Sequence, residues 1–148
     1  IVGRTKSSIN TFGEELMVDN TDNAIIYACK KQNCLIKDYT VAPIFITNNN
    51  GGHQWLIEFE KEPKNTTLFM HNLDSRLMQI NSDYKAKRSA NLILKFPELI
   101  KLKNQEFYHW LKENNRLGGQ YKIPRLSANR DIAERLISIK RSFQQKSD

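Results

Sequence analysis

Tyr39-Thr40-Val41-Ala42-Pro43-Ile44-Phe45-Ile46-Thr47-Asn48-Asn49-Asn50-Gly51-Gly52-His53-Gln54-Trp55-Leu56-Ile57-Glu58-Phe59 reads as two strands and the turn that joins them. Residues 39–47 are rich in β-branched and aromatic side chains, and Trp55, Ile57 and Phe59 alternate onto one face of residues 53–59. The residues between, 48–52, are all of types that tolerate positive φ, so the pair closes as a hairpin. Pro43 has no N–H to give to a ladder, which places a bulge or a sheet edge beside it. The two glycines do not make a phosphate-cradling loop, because no Gly-x-x-x-x-Gly-Lys pattern exists and no helix follows them.

Helical patterns flank this hairpin on both sides. Upstream, Asp19-Asn20-Thr21-Asp22 offers caps for a helix running to about Gln32, with Ala24, Ile25, Ala28 and Cys29 on one face and Lys30 and Lys31 at its C-terminal end. Downstream, Asn65-Thr66-Thr67 opens a helix carrying Phe69, Leu73, Leu77 and Ile80 at core spacing. Asn81-Ser82-Asp83 caps a short basic helix from Tyr84 to about Asn91. A short strand is expected at Glu98–Leu102 and a helix at Glu106–Asn114, which Gly118-Gly119 ends. Gln120 to Leu126 is extended because Pro124 excludes a helix interior, and a last helix runs from Asp131 to about Phe143. The fold expected is α+β: a small two-layer domain, residues 1–148, with an antiparallel or mixed sheet packed by four to five helices.

Composition narrows the class. The chain has 148 residues, 39% hydrophobic and 26% charged, which is ordinary globular material of single-domain size. No apolar run approaches the ~20 residues of a membrane span, and Arg4-Thr5-Lys6 interrupts any N-terminal leader, so a cytoplasmic protein without a membrane partner is expected. Cys29 and Cys34 match no CxxC spacing and read as free thiols in a reducing compartment. Of the net charge of +7, residues 1–81 carry −1 and residues 82–148 carry +8. A basic half suits a polyanion, either the phosphates of a nucleotide or a nucleic acid met by Lys85, Lys87, Arg88 and Lys95. The alternative to an enzyme domain is therefore a stand-alone basic nucleic-acid-binding or interaction module.

Few residues announce chemistry by themselves. His53, His71 and His109 sit in different elements without ligand-type neighbours, so no metal site is expected. No Gly-x-Ser-x-Gly elbow exists. Adjacent Glu14 and Glu15 would face opposite sides of a strand, which argues against a paired acid and base. Two stretches remain. The first is Gly3-Arg4-Thr5-Lys6-Ser7-Ser8-Ile9-Asn10-Thr11-Phe12-Gly13-Glu14, where Ser8-Ile9-Asn10 reads as a strand closed by the Gly13-Glu14 turn. The second is Gln120-Tyr121-Lys122-Ile123-Pro124-Arg125, where a glycine pair leads into a stiffer segment, an arrangement that delivers a long cationic side chain to a phosphate with Arg125 beside it.

Both stretches resemble the C-terminal domain of the auxin-conjugating acyl-acid amido synthetases, and more specifically their bacterial relatives, in the adenylate-forming superfamily. Gly51–Phe59 and Asn81-Ser82-Asp83-Tyr84 are similar to the family as well, so the resemblance covers most of the chain. It implies a mobile C-terminal domain whose partner is an N-terminal adenylation domain of the same chain. ATP and Mg would be bound by the parent enzyme and not by this fragment. An acyl acid would be adenylated and its acyl group passed to an amine or thiol acceptor, with no specific nucleic acid involved. Residue by residue, the resemblance carries the adenylation lysine onto Lys122. Arg4, Lys6, Gln120 and Arg125 become phosphate or hinge contacts, and Asn10, Phe12, Gly13 and Glu14 become the loop that enters the site for acyl transfer. The phosphate loop, ribose-binding acid and acyl pocket of that family have no counterpart in these residues.

Overall fold

The computed structural model describes residues 8–47, 49–89, 93–103, 105–114 and 123–147. The hairpin is its centre. Strand β3 (Leu35–Phe45) pairs antiparallel with β4 (Gly51–Lys61), and β5 (Glu98–Leu102) adds parallel to the other side of β4, giving the order β3-β4-β5. Strand β3 starts four residues earlier than expected and ends two residues short, β4 extends two residues at each end, and the turn moves upstream to lie between Phe45 and Gly51, closed by Ile46 N–H and Thr47 N–H donating to Asn50 O. A separate two-stranded ribbon, β1 (Ser8–Ile9) with β2 (Leu16–Met17), precedes helix α1 (Val18–Gln32).

Pro43 sits at the sheet edge without a bulge beside it. Val41 N–H turns away from β4 to donate to Arg125 O at 2.8 Å, so the nitrogen of Pro43, two residues on, faces the same outer side, where no ladder bond is lost. The register shifts lie at the other end, around Ile36 and Asp38.

Alternation along the strands divides the core. Tyr39, Val41, Trp55, Ile57 and Phe59 face α1 and α2 (Thr66–Ile80), and Tyr39 stacks on Trp55 with ring centroids 5.7 Å apart. Ala42, Leu56 and Leu102 face the opposite way, onto α4 (Glu106–Glu113) and α5 (Asp131–Ser147). The two-layer expectation describes the first side; a second helical layer covers the other. That second layer follows from β4 itself, which is buried from Gly51 to Phe59 and so needs cover on both faces.

Helix ends follow their side chains. Asn65 caps α2 by accepting Leu68 N–H at 2.9 Å, as the sequence indicates. Helix α1 begins earlier than the Asp19–Asp22 caps suggest, because Asn20 Oδ1 reaches back to Met17 N–H at 3.0 Å and draws the first turn upstream. Asn81 ends α2 and starts α3 (Ser82–Arg88): its N–H donates to Leu77 O while its side chain accepts Tyr84 N–H. No helix among the described residues is long and apolar enough to cross a membrane.

Candidate functional site

The turn between β1 and β2 is short, yet it is tied down from beneath. Gly13 stands at φ +85 and Glu15 at φ +43, so the chain reverses through left-handed backbone. Asn10 Oδ1 accepts Glu15 N–H at 3.0 Å and closes the turn across its base. Glu14 points inward and is fully buried. One of its oxygens accepts Phe12 N–H at 2.7 Å, and the other lies 2.7 Å from His53 Nε2 of β4. Burial pushes the Glu14 carboxyl up, but the His53 hydrogen bond and charge, with the N–H groups of Phe12 and Glu14, more than offset this and hold it below its ordinary value. Glu14 is thus an ionised anchor, while Asn10 and Gly13 stand exposed on the turn.

A second tie comes from Asn81, whose Nδ2 donates to Glu14 O and Glu15 O, both at 3.1 Å. The His53 ring stacks on Tyr84 at 6.0 Å, and Tyr84 OH donates to Asp74 Oδ1 at 2.6 Å. Arg88 completes the buried chain with two bonds to Asp74, Nε to Oδ1 at 2.8 Å and Nη2 to Oδ2 at 2.7 Å. Arg88 is thereby engaged with the core and does not present its guanidinium as a phosphate contact of a basic helix face. Lys87 crosses above the turn: a side chain placed on Gly13 would meet its Cε at 3.0 Å. Phe12 wedges between Phe45, 6.1 Å away, and Gly51, whose hydrogen is all that fits there.

The loop's expected members Asn10, Phe12, Gly13 and Glu14 therefore form one unit. His53, Asn81 and Tyr84 support it and were not singled out by spacing, because they come from elements forty to seventy residues away. One signal existed: a histidine within a strand otherwise buried through Phe59 needs a buried polar partner.

Arg125 lies at the other expected site. Its Nη1 pairs with Asp38, its Nε lies 4.0 Å from Asp22, and its guanidinium stacks over the Tyr39 ring at 4.5 Å. The segment around it is stitched to the edge of β3: Thr40 Oγ1 donates to Pro124 O at 2.6 Å, and Ser127 N–H to Val41 O at 3.0 Å. Arg125 is thus engaged in fixing this segment. Arg4, Lys6, Gln120 and Lys122 lie outside the described residues.

The model of the GH3 family C-terminal domain matches residues 19–131. The chain belongs to this family. Its fold is also that of solved acyl acid amido synthetases. One, AtGH3.15 in complex with 2,4-DB, superposes with a TM-score of 0.72 at 17% identity over 94% of this chain; another structure of GH3.15 gives 0.71 at 17% over 95%. This chain spans 26% of the length of either. No curated protein sequence matches it. The GH3 C-terminal domain match takes in α1, the hairpin, α2, Asn81, Tyr84 and the 123–127 segment, and begins after the Gly13 turn.

Proposed function

We propose that this GH3 C-terminal domain is the mobile small domain of an ATP-dependent acyl-acid amido synthetase, which couples a carboxylic acid to AMP and passes the acyl group to an amine or a thiol. The observation that supports this reading is the family match over residues 19–131, on a fold shared with acyl acid amido synthetases. Two faces of the domain then serve two half-reactions. Lys122 lends its ammonium to the charge that builds on phosphorus as the carboxylate attacks, accompanied by Gln120, Arg4 and Lys6. Arg125 acts through the backbone, fastening the chain that follows residue 122 to β3. After rotation about a hinge, the Asn10–Glu15 turn takes that place beside the acyl-adenylate. Gly13, lacking a side chain, lets backbone approach the acyl group and the acceptor closely. Glu14 is a positioning residue here: it keeps the turn seated on His53 and touches no substrate.

ATP is the substrate of the parent protein's larger domain in this reading. The Mg that accompanies ATP belongs, in the same reading, to that larger domain and to the nucleotide's phosphates.

The test is carboxylate-dependent exchange of pyrophosphate into ATP. Residues 1–148 alone are expected to show none, and the same residues joined to an adenylating domain are expected to show it together with amide formation. Exchange by residues 1–148 alone, or a joined protein that forms no acyl-adenylate with any carboxylic acid, would overturn the proposal.

A further inference from the structure

On the face of the sheet away from the Gly13 turn, a cavity of about 570 Å³ opens between the start of β3, the end of β4 and α4. Glu58 lies in its wall, opposite Asp38 in the hairpin register, and is only 2% exposed. Its Oε2 has no hydrogen-bond partner. The nearest cation, Lys37 Nζ, stays 3.6 Å away on a side chain that is 58% exposed. Glu106, 1% exposed at the first turn of α4, repeats the pattern: one oxygen accepts Lys103 N–H at 2.9 Å and the other is unpaired.

A buried carboxylate oxygen without a donor is costly, and two near one another cost more. Burial pushes the Glu58 carboxyl up; Lys37 opposes this, and the charges of Glu106 and Asp38 add to it. Asp38, a carboxylate paired with Arg125, has no proton to give Glu58. What Glu58 lacks is a cation within hydrogen-bond distance, because its solvated ion-pair partner Lys37 stops at 3.6 Å. Beside Gln105, the rest of the wall is Phe107, Leu111 and the half-exposed ring of Tyr108, suited to an alkyl stem and to a cation near a ring face.

We propose that this cavity binds an alkylammonium group, its nitrogen on Glu58 Oε2 and its stem along Phe107, Tyr108 and Leu111. A dedicated metal ion is a poorer fit, since no set of three acidic, histidine or cysteine ligands converges among the described residues. Lys37 lies across the mouth as a competitor and swings aside at little cost, because its chain is solvated. The ammonium comes either from a free amine or from a lysine elsewhere in a longer polypeptide that carries this domain.

Titrating the chain with n-butylammonium chloride, with n-butanol as the neutral control, tests this by backbone-amide NMR. Saturable shifts centred on Lys37, Glu58 and residues 107–111 are expected, with a dissociation constant in the roughly millimolar range, and none with n-butanol. Glu58→Gln should weaken binding roughly tenfold or more, since a charge-assisted bond is lost. Lys37→Met should tighten it, by removing the competitor. No saturable shift by about 50 mM, equal response to n-butanol, or a Lys37→Met variant that binds no better would overturn the proposal. In a longer polypeptide, persisting n-butylammonium binding identifies a free amine as the source. Loss of that binding, with Glu58 already ionised by carboxyl-carbon shift, identifies a lysine of the same protein.

Discussion

Glu14→Ala removes the acceptor of two buried donors at once. Phe12 N–H, 2.7 Å from the carboxylate, and His53, 2% exposed at 2.7 Å, would both be left without a partner and without water. Breaking a buried pair by deleting one member costs about 3–5 kcal/mol. Glu14→Gln keeps an acceptor for Phe12 N–H and removes a buried charge, and His53 can turn acceptor toward the new amide, so its cost should be about 1–2 kcal/mol. Urea denaturation at pH 7 measures both. The pH dependence supplies an independent check. The folded carboxyl lies below its ordinary value of 4.5, so its contribution is complete above that value and is lost as pH falls through the lower folded value. The advantage of the native residue over Gln should therefore shrink below about pH 4.5. An Ala variant within about 0.5 kcal/mol of the native chain would refute the anchor. So would a Gln deficit that stays constant down to the lowest pH at which the fold persists.

Gly51→Ala should destabilise by about 3 kcal/mol or more, because the added carbon would lie 1.8 Å from Ile44 O and 2.7 Å from Phe12 Cζ. Backbone on one side and the Gly13 turn on the other leave no easy retreat; an unchanged urea midpoint would show that the hairpin can part there. Burial pushes the Cys34 thiol up to about 12, so it should react with a thiol reagent at pH 8 a thousandfold or so more slowly than in unfolded chain, and Cys29, also raised by burial, should be slowed as well. Fast labelling of either in the native state would contradict the packing of α1 against β3.

The hairpin, the order of helices and strands and the cap at Asn65 were legible because each is local: strand alternation, turn residues and a side chain reaching three residues on. The sheet's third strand was legible as a strand but not as a parallel neighbour of β4, since register across α2 and α3 leaves no local mark. Layer count failed to show for a similar reason. The helical stripes of α4 and α5 say that they bury a face, not which side of the sheet receives it. At the site, the resemblance pointed to the Gly13 turn, while nothing in its spacing pointed to His53 and Asn81. Their role depends on two chain reversals that bring β4 and the end of α2 under residues 10–15. Arg125 shows the converse: a cation carried over as a phosphate or hinge contact is engaged by Asp38 and Tyr39, which folding brings to it from the far end of the hairpin.

The two-face account is tested most directly in a parent enzyme carrying this domain, by comparing Lys122→Ala with Gly13→Val in each half-reaction. Pyrophosphate exchange reports adenylation, and single-turnover transfer from a supplied acyl-adenylate reports the second step. Lys122→Ala should lower exchange by ~10²–10³ and leave transfer nearly intact. Gly13→Val should do the reverse: its side chain meets Lys87 and strained left-handed backbone, and blocks the turn's approach. Unfolding midpoints separate this from loss of fold. Exchange that survives Lys122→Ala, or the same half-reaction lost in both folded variants, would contradict it.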